Sequence, residues 1–314
     1  MTAESGTGSG RVVVLAGGTG GAKLAAGMQQ LVGERLTVIA NTGDDIEVHG
    51  GHVSPDPDLC LYWLADRIDE RGWGLRDDSF VVMEMLAELG EDVWFRLGDR
   101  DLAVCLQRAR RLAAGDTLTD AIAQLRRELG VAAHVLPMCD EPVRTEVCLD
   151  HGWVGFQEFM IHLRAARPVR DVAFRGAEAA TLSAAVRSAL QEAETIVVGP
   201  SNPVVSIGPI LALPGLRDAM RVAPAPIVAV SPLVGGAVVK GPTEPFMAWA
   251  GKPLSSDGVV SAYNGLLDGL VADERASSLP TLETDVLMSD AAARARVAAE
   301  TLDFARSLAG RGAR

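Results

Sequence analysis

Residues 11–58 have the sequence RVVVLAGGTGGAKLAAGMQQLVGERLTVIANTGDDIEVHGGHVSPDPD, around which the rest of the 314-residue chain is organised. An apolar run of strand length at 11–16 leads directly into the glycine-rich segment 17–21. Apolar residues then recur at helical spacing over 22–32, and a second apolar run follows at 36–40. Strand, helix and strand in this order are typical of an α/β fold. We predict a mostly parallel sheet with helices on both faces.

The glycine-rich segment contains four glycines in five residues, which indicates that backbone rather than side chain is needed there. It lies between a strand and a helix N-terminus, where free N–H groups and the helix dipole favour a bound anion. We therefore predict a site for nucleotide phosphates; the alternative is a tight turn between two packed elements. The residues assigned to the nucleotide in this part of the chain are Gly17, Gly18, Thr19, Gly20, Gly21 and Lys23.

Two known versions of such a loop do not fit. The P-loop ends in Gly-Lys-Ser/Thr, whereas Lys23 follows Ala22 and precedes Leu24. The Rossmann fingerprint needs a third glycine at the position of Lys23 and an acidic ribose-binding residue where Asn41 stands. The loop is therefore neither a standard ATPase loop nor a standard NAD loop, which argues against an ordinary NAD oxidoreductase.

The second strand leads into an acidic loop. Four aspartates and two histidines fall within fifteen residues, namely Asp44, Asp45, His49, His52, Asp56 and Asp58. An open α/β sheet binds its ligands at the carboxyl ends of its strands. Hard oxygen ligands beside a phosphate loop suit Mg²⁺, and we predict Asp44, Asp45 and Asp58 as its ligands. The alternative is that Asp44 and Asp56 cap turns.

Charge and composition exclude some classes of protein. The net charge of −12 argues against a nucleic-acid surface, which needs clustered Lys and Arg. Of the three lysines, Lys23 and Lys240 are candidate phosphate partners, and the alternative is that they are solvated loop residues. The uncharged stretch 195–216 is long enough to cross a bilayer, but its prolines would break a helix, so no membrane association is predicted.

The N-terminal segment and the cysteines predict a cytoplasmic protein. Residues 1–10 are polar and glycine-rich, which indicates a flexible tail rather than a signal peptide. The four cysteines lack both metal-binding spacing and the context of a disulfide framework, so buried thiols are expected. They are Cys60, Cys105, Cys139 and Cys148.

Residues 59–130 have a helical pattern, and we predict that they form a mostly helical insertion over one edge of the sheet. Within it, residues 94–102 have the sequence WFRLGDRDL, which precedes a helix. Arg96 or Arg100 is expected to contact a phosphate or a planar ligand, with Asp99 or Asp101 holding the guanidinium. The alternative is that one of these aspartates caps the helix.

Later strands also end in loops of small polar residues. The strand at 195–198 is followed by GPSNPVVSIGP (199–209), and that at 226–230 by SPLVGG (231–236). Ser201 and Asn202 are expected to bind the nucleotide, and the alternative is an Asx-type turn. Helices are predicted near 257–271 and 290–309, with a strand around 286–287 between them.

Several motifs, in order along the chain, resemble the 2-phospho-L-lactate transferase family of coenzyme F-420 biosynthesis. They are GGTG (17–20) with KL (23–24), NTGDD (41–45), SPDPD (54–58), LGDRD (97–101), LPMCDEP (136–142), GPSNPVVSIGPI (199–210) and VSP (230–232). The resemblance covers about residues 11–300. It implies a single domain over 11–314 with a modified Rossmann-like fold, a magnesium requirement and a homodimer.

The resemblance also implies a reaction. A phosphorylated three-carbon acid would move from a guanosine diphosphate conjugate to the hydroxyl of the deazaflavin Fo, with release of GMP; lactate, enolpyruvate and glycerate are alternatives for the acid. Such a transfer needs in-line placement and a metal ion rather than covalent help from the protein. The predicted catalytic residues are Asp45 and Asp58, and the predicted Fo-binding residues are Asn41, Asp58, Arg96 and Arg100.

One residue departs from the family pattern. Pro57 stands where leucine is frequent, and it stiffens the backbone before Asp58. A sister family of regulatory proteins, which look like binders of dinucleotides or nucleotide sugars, has a similar fold and glycine-rich loop. Membership of that family would make the chain a sensor, but the LGDRD motif followed by Leu102 and Ala103 favours the transferases.

Overall fold

A computed structural model describes residues 10–312 of the chain. Nearly all of the tail predicted at 1–10 lies outside the described residues. The strands are β1 (Arg11–Ala16), β2 (Leu36–Ala40), β3 (Ile46–Val48), β4 (Gly51–Val53), β5 (His134–Pro137), β6 (Arg144–Leu149), β7 (Gly152–Gly155), β8 (Asp171–Arg175), β9 (Ala193–Val198), β10 (Ile227–Val230), β11 (Leu233–Val234), β12 (Ala237–Val238), β13 (Gly269–Ala272) and β14 (Thr281–Glu283). The α-helices are α1 (Gly18–Val32), α2 (Pro55–Leu64), α3 (Val81–Glu88), α4 (Asp99–Ala113), α5 (Leu118–Glu128), α6 (Ala184–Gln191), α7 (Gly208–Leu211), α8 (Leu216–Val222), α9 (Thr243–Trp249), α10 (Ser256–Ala262) and α11 (Ala291–Gly312).

The main sheet has seven strands in the order β14-β13-β10-β9-β1-β2-β5, and neighbouring strands are parallel. The chain runs outward from β1 through β2 to β5, and then returns to β9 on the other side of β1. This is the strand order of a Rossmann fold with one strand added, so the prediction of a Rossmann-like α/β fold is confirmed. The order reverses between β1 and β9, where an open sheet forms its ligand crevice.

The two faces of the sheet carry separate hydrophobic cores. Val12 and Val14 pack on one face with α1, α2, α5 and α11, whereas Val13 and Leu15 pack on the other with α6, α7, α8 and α10. All four side chains are buried because successive residues of a strand point to opposite faces. Helices on both faces are what a parallel sheet needs to exclude water from its apolar strands.

The connection from β2 to β5 spans residues 41–133 and holds the hairpin β3–β4 and the helices α2 to α5. Residues 59–130, predicted as a mostly helical insertion, contain the end of α2, all of α3 to α5 and the irregular segments 65–80 and 89–98. Helix α2 begins at Pro55, with Ser54 as its N-cap. Pro57 therefore lies in the first turn, where its missing N–H leaves no helical hydrogen bond unmade, and Asp58 N donates the first such bond to Ser54 O (3.1 Å).

Three predicted boundaries differ from the structure. Helix α1 begins at Gly18, so the glycines form its first turn rather than a loop before it. The helix predicted near 257–271 ends at Ala262, because Asn264 and Gly265 both take positive φ angles (52° and 68°). The apolar residues after this turn form β13, and the strand predicted around 286–287 is instead β14 at Thr281–Glu283.

The cysteines and the uncharged stretch 195–216 are accounted for by the fold. All four cysteines are free thiols, and three of them are buried. Residues 195–216 are divided among β9, the following loop, α7 and the start of α8. Between residues 10 and 312, no helix is both long enough and apolar enough to cross a membrane.

Candidate active site

Two cavities adjoin the N-terminus of α1 at the carboxyl edge of the sheet. The first, here called the glycine cavity, has a volume of about 320 Å³ and is lined by the start of α1 and by the loops that follow β9 and β10. The second, here called the aromatic cavity, has a volume of about 770 Å³ and is lined by the start of α2 and by the irregular segments before α3 and α4. The loops predicted to bind a nucleotide therefore converge.

Close packing explains much of the glycine content of α1. A Cβ atom on Gly20 would lie 1.9 Å from Pro200 O, and one on Gly21 would lie 2.9 Å from the Cα of Ala16. Gly18 has a φ angle of 64°, which side-chain-bearing residues rarely adopt. The tight-turn alternative is thus correct in part, since these glycines let α1 approach β1 and the loop after β9.

The first N–H groups of α1 are divided between internal partners and the cavity. Gly18 N donates to Asp56 Oδ1 (2.6 Å), and Gly21 N donates to Ser201 Oγ (3.2 Å). The N–H groups of Thr19 and Gly20 have no acceptor within residues 10–312. Two donors at the positive end of the helix dipole are therefore open to an anion.

Asp56 is central to the site, although it was not among the predicted site residues. It joins α2 to the start of α1, and its Oδ2 accepts a hydrogen bond from Asn41 Nδ2 (2.9 Å). Burial raises the pKa of Asp56 to about 6, although its hydrogen bonds to Gly18 and Asn41 oppose this increase. Asp56 thus caps α1, a helix that begins 38 residues before it in the sequence, and not a local turn.

Asn41 was predicted to bind Fo, and the structure gives it another place. Its side chain is buried, and its Oδ1 accepts from Gly43 N (2.8 Å) while its Nδ2 donates to Asp56. It lines neither cavity. Asn41 therefore holds the acidic loop in shape and orients Asp56.

The three predicted metal ligands are not brought together. Asp44 lines the glycine cavity and Asp58 the aromatic cavity, whereas Asp45 lines a third cleft beside the β3–β4 hairpin. Both oxygens of Asp45 are engaged, one by Ser54 Oγ (2.8 Å) and the other by His52 Nε2 (3.0 Å). Besides burial, Asp45 still contributes to the raised pKa of Asp44 and of Asp58, so the three carboxylates are neighbours that face different cavities and not one common point.

Asp44 has the electrostatic setting of a cation ligand. Its Oδ1 is buried without a hydrogen-bond partner in residues 10–312. Burial, followed by the nearby charge of Asp56, raises the pKa of Asp44 well above its usual range. A divalent cation at this oxygen would supply the missing partner and offset the repulsion between the two carboxylates.

Asp58 lies in a buried polar network that the sequence did not reveal. The guanidinium of Arg108, itself fully buried, donates to Asp58 Oδ1 and to His52 O (2.9 Å). Burial raises the pKa of Asp58, and Arg108 counteracts part of the increase. Tyr62 donates to Asp101 Oδ1 (2.7 Å) beside them. In residues 10–312, one group of three Asp, Glu, His or Cys side chains has ligand atoms that all lie within 4.8 Å of one another, and it consists of Asp58, Asp101 and Cys105.

Rings and guanidinium groups form one wall of the aromatic cavity. The guanidinium carbon of Arg71 lies 5.1 Å from the ring centroid of Phe80, and that of Arg96 lies 5.2 Å from it. Trp73 and Trp94 also line this cavity. Flat, weakly hydrated groups of this kind bind the face of a planar ligand.

The two predicted arginines have different environments. Arg96 lines the aromatic cavity, as expected of a residue that contacts a planar ligand. Arg100 lines neither cavity: its exposed side chain donates to Arg76 O (3.4 Å). The difference follows from α4, which begins at Asp99 and turns Arg100 away.

Lys23, Ser201 and Asn202 all line the glycine cavity. Lys23 Nζ donates to Met288 O (3.2 Å), and burial, with Arg294 and Lys240, lowers its pKa. Asn202 Oδ1 accepts from the N–H groups of Val204 and Val205 (2.9 and 3.3 Å), so the Asx-type turn is present. Its Nδ2 is buried and has no partner in residues 10–312, which leaves a donor for a ligand.

Comparison with known proteins decides the family. The model of the family described as 2-phospho-L-lactate transferase CofD matches residues 12–302. The chain belongs to this family. It is a transferase enzyme, which favours the interpretation from its motifs over the nucleotide-binding regulator.

Relatives of the transferase carry two names. This chain is 41% identical over 266 residues to the 2-phospho-L-lactate transferase of Methanosarcina mazei, and the match covers 84% of this chain and 87% of that protein. This chain is 39% identical over 312 residues to the phosphoenolpyruvate transferase of Streptomyces coelicolor, and the match covers 94% of this chain and 98% of that protein. These names are consistent with a place in coenzyme F-420 biosynthesis.

Solved structures support the fold of the transferase. A UPF0052 family protein from Bacillus halodurans matches with a TM-score of 0.63 and 16% sequence identity, over 93% of this chain and 99% of that one. At this level of identity the match shows the fold and leaves the activity open.

Proposed function

We propose that this enzyme transfers a phosphorylated three-carbon acid, phospholactyl or phosphoenolpyruvyl, from a guanosine diphosphate conjugate to the hydroxyl of the deazaflavin Fo. GMP is the leaving group. The observation that carries the proposal is the pair of adjoining cavities, because one has phosphate-binding chemistry and the other suits a flat ring system. The names of the relatives supply the class of group transferred.

The donor nucleotide is assigned to the glycine cavity. The N–H groups of Thr19 and Gly20 and the ammonium of Lys23 bind its diphosphate, and the buried Nδ2 of Asn202 donates to the phosphate, ribose or base. Ser201 acts differently, because its hydroxyl holds the N–H of Gly21 and so fixes the loop against α1.

Magnesium is proposed as the cofactor, and of the three predicted ligands Asp44 is retained. Asp44 has the free, buried carboxylate oxygen that such an ion needs, whereas Asp45 and Asp58 are held by Ser54, His52 and Arg108. When bound, Mg²⁺ would disperse the negative charge of the phosphoryl oxygens. Asp45 then has a positioning role, because it fixes the hairpin that carries His52.

The acceptor Fo is assigned to the aromatic cavity, with its ring system against Phe80 and the guanidinium of Arg96. Asp58 lines the same cavity, and Arg108 fixes its orientation through Oδ1. Asp58 accepts a hydrogen bond from the attacking hydroxyl and takes its proton. The raised pKa of this buried carboxylate makes it a stronger base than an exposed aspartate.

Release of GMP tests the proposal directly. Purified protein, Mg²⁺ and Fo are mixed in parallel with the lactyl, enolpyruvyl and glyceryl diphosphoguanosine donors. We expect Fo-dependent GMP from the lactyl or the enolpyruvyl donor, and none after chelation of the metal. Folded protein that releases no GMP from any donor would contradict the proposed function, and the preferred donor identifies the acid.

Two further properties are proposed from the family resemblance. The enzyme is a homodimer, which light scattering after size-exclusion chromatography would test by its mass. A mass equal to that of one 33.0 kDa chain at the assay concentration would contradict this. Its location is the cytoplasm, which fractionation of the source cells would test.

A further inference from the structure

Three residues line both the glycine cavity and the aromatic cavity. They are Gly18, Thr19 and Lys240, and Lys240 is the charged one. If the donor occupies one cavity and the acceptor the other, the reacting phosphorus must lie where they meet. The residues shared by both cavities are therefore those nearest to the bond that breaks and the bond that forms.

Lys240 has no ion-pair partner among the residues that the structure describes. No carboxylate in residues 10–312 lies within 4.0 Å of its Nζ, although the whole chain carries a net charge of −12. Its positive charge contributes to the lowered pKa of Lys23, so the two ammonium groups influence one another across the glycine cavity. Two positive charges that line one cavity favour a bound anion, and the Asp44 carboxylate in the same cavity suits the cation proposed to accompany the phosphates.

The backbone directs Lys240 across the boundary between the cavities. It follows the β11–β12 hairpin and precedes α9, whose first residue, Thr243, is buried. The hairpin is held by hydrogen bonds from Gly235 N to Asp273 and from Leu233 N to Ser231 Oγ (3.1 Å). From there the side chain reaches the insertion, because Nζ lies 3.2 Å from the position that a Cβ on Gly72 would take.

We propose that Lys240 is a catalytic residue that contacts the transferred phosphoryl group and stabilises its negative charge in the transition state. This inference rests on the proposed function. The acceptor hydroxyl oxygen forms a bond to the phosphorus that carries the three-carbon acid. The bond from that phosphorus to the bridging oxygen breaks, GMP leaves with the electron pair, and the hydroxyl proton passes to Asp58 and then to water.

A role in the transition state differs from a role in donor binding. A lysine that merely bound the nucleotide would lower the KM for the donor and leave kcat unchanged. A lysine at the reacting phosphorus acts mainly on kcat, because charge on the equatorial oxygens and the leaving oxygen is redistributed as the bonds change.

The test compares Lys240→Gln and Lys240→Arg with Lys252→Gln, in which the substituted lysine lines neither cavity. We expect Lys240→Gln to lower kcat by about 100-fold, which is typical for loss of one charge-stabilising donor. Lys240→Arg keeps the charge and should recover at least about tenfold of that loss. The affinity for GMP, which lacks the transferred phosphorus, should change by less than about threefold in both variants when measured by calorimetry.

The outcomes separate the two proposals. Lys240→Gln with a kcat within about threefold of the wild type, or with a change confined to the donor KM and GMP affinity, would overturn the role of Lys240 alone. Wild-type protein that releases no GMP would overturn the proposed function together with this inference. Circular dichroism confirms that each variant is folded, as expected for an exposed side chain.

Discussion

The glycine cavity and the aromatic cavity are built by different means. The glycine cavity is formed where β1, β9 and β10 end, and it offers N–H groups, hydroxyls and an amide. The aromatic cavity is formed by α2 and irregular chain between helices, and it offers rings and guanidinium groups. Under the proposed function, backbone that the sheet holds in place binds the phosphates, whereas side chains that the insertion supplies bind the planar acceptor.

Asp58→Asn has the largest expected effect, because it removes the proposed base. We expect kcat for GMP release to fall by about 10²–10⁴-fold, the usual contribution of a general base, while GDP affinity is retained. The asparagine keeps an oxygen that can accept from Arg108. Asp66→Asn is the control, since Asp66 is exposed and pairs with Arg76 at the surface. GMP release close to the wild-type rate in Asp58→Asn would refute the role of Asp58.

Gly20→Ala should distort the glycine cavity and leave the aromatic cavity unchanged. Its Cβ would meet Pro200 O at 1.9 Å, so α1 and the loop after β9 must separate. We expect a stability loss of about 1–3 kcal/mol and GDP binding weakened at least about tenfold. Gly155→Ala is a matched control, because its Cβ meets nothing within 4 Å. Thermal unfolding and calorimetry measure both effects, and unchanged GDP affinity would contradict this account of the loop.

Phe80→Ala should act on the other cavity. The ring contacts the guanidinium groups of Arg71 and Arg96 and lines the aromatic cavity, so its loss removes one surface proposed for the acceptor. We expect the KM for Fo to rise about tenfold, from about 1–2 kcal/mol of lost stacking, with the donor KM unchanged. Trp153→Ala removes a similar ring–arginine contact at a residue that lines neither cavity, and it serves as control. A rise in the donor KM alone would reverse the assignment of the two cavities.

Lys23→Ala has the smallest expected effect. Lys23 already donates to Met288 O, so only part of its charge is directed at the donor. We expect the donor KM to rise about three- to tenfold, with kcat and the KM for Fo unchanged. Steady-state kinetics beside Lys252→Ala would show this, and an unchanged donor KM would make Lys23 a structural residue.

The difference between the cavities also explains what the sequence could predict. The start of the glycine cavity is local, since strand, glycines, helix and second strand follow one another within 30 residues. The buried face of α4 was not predicted, although Leu102, Cys105 and Arg108 recur at helical spacing and could have indicated it. An arginine on such a face indicates a buried acidic partner but does not identify it.

Contacts between distant residues could not be predicted. Asp56 meets Gly18 across 38 residues, and Arg108 meets Asp58 across 50. The first pair depends on how the β2–β5 connection folds back onto α1, and the second depends on how α4 packs against α2 within that connection. The same connection separates Asp44 from Asp45, which are neighbours in sequence but face different cavities. Residue type and spacing therefore gave the chemistry of the acidic loop but not its geometry.

The β2–β5 connection has a consequence for how such enzymes can diverge. It joins two strands that are neighbours in the sheet, so its length does not affect the register of any other strand. It also supplies most of the wall that faces the acceptor. Insertions, deletions and substitutions can therefore accumulate between α2 and α4, outside the stretch that carries Asp44, Asp56 and Asp58, while the proposed phosphate-binding framework stays intact. The architecture allows an enzyme lineage to change its acceptor alcohol while it keeps the same activated donor.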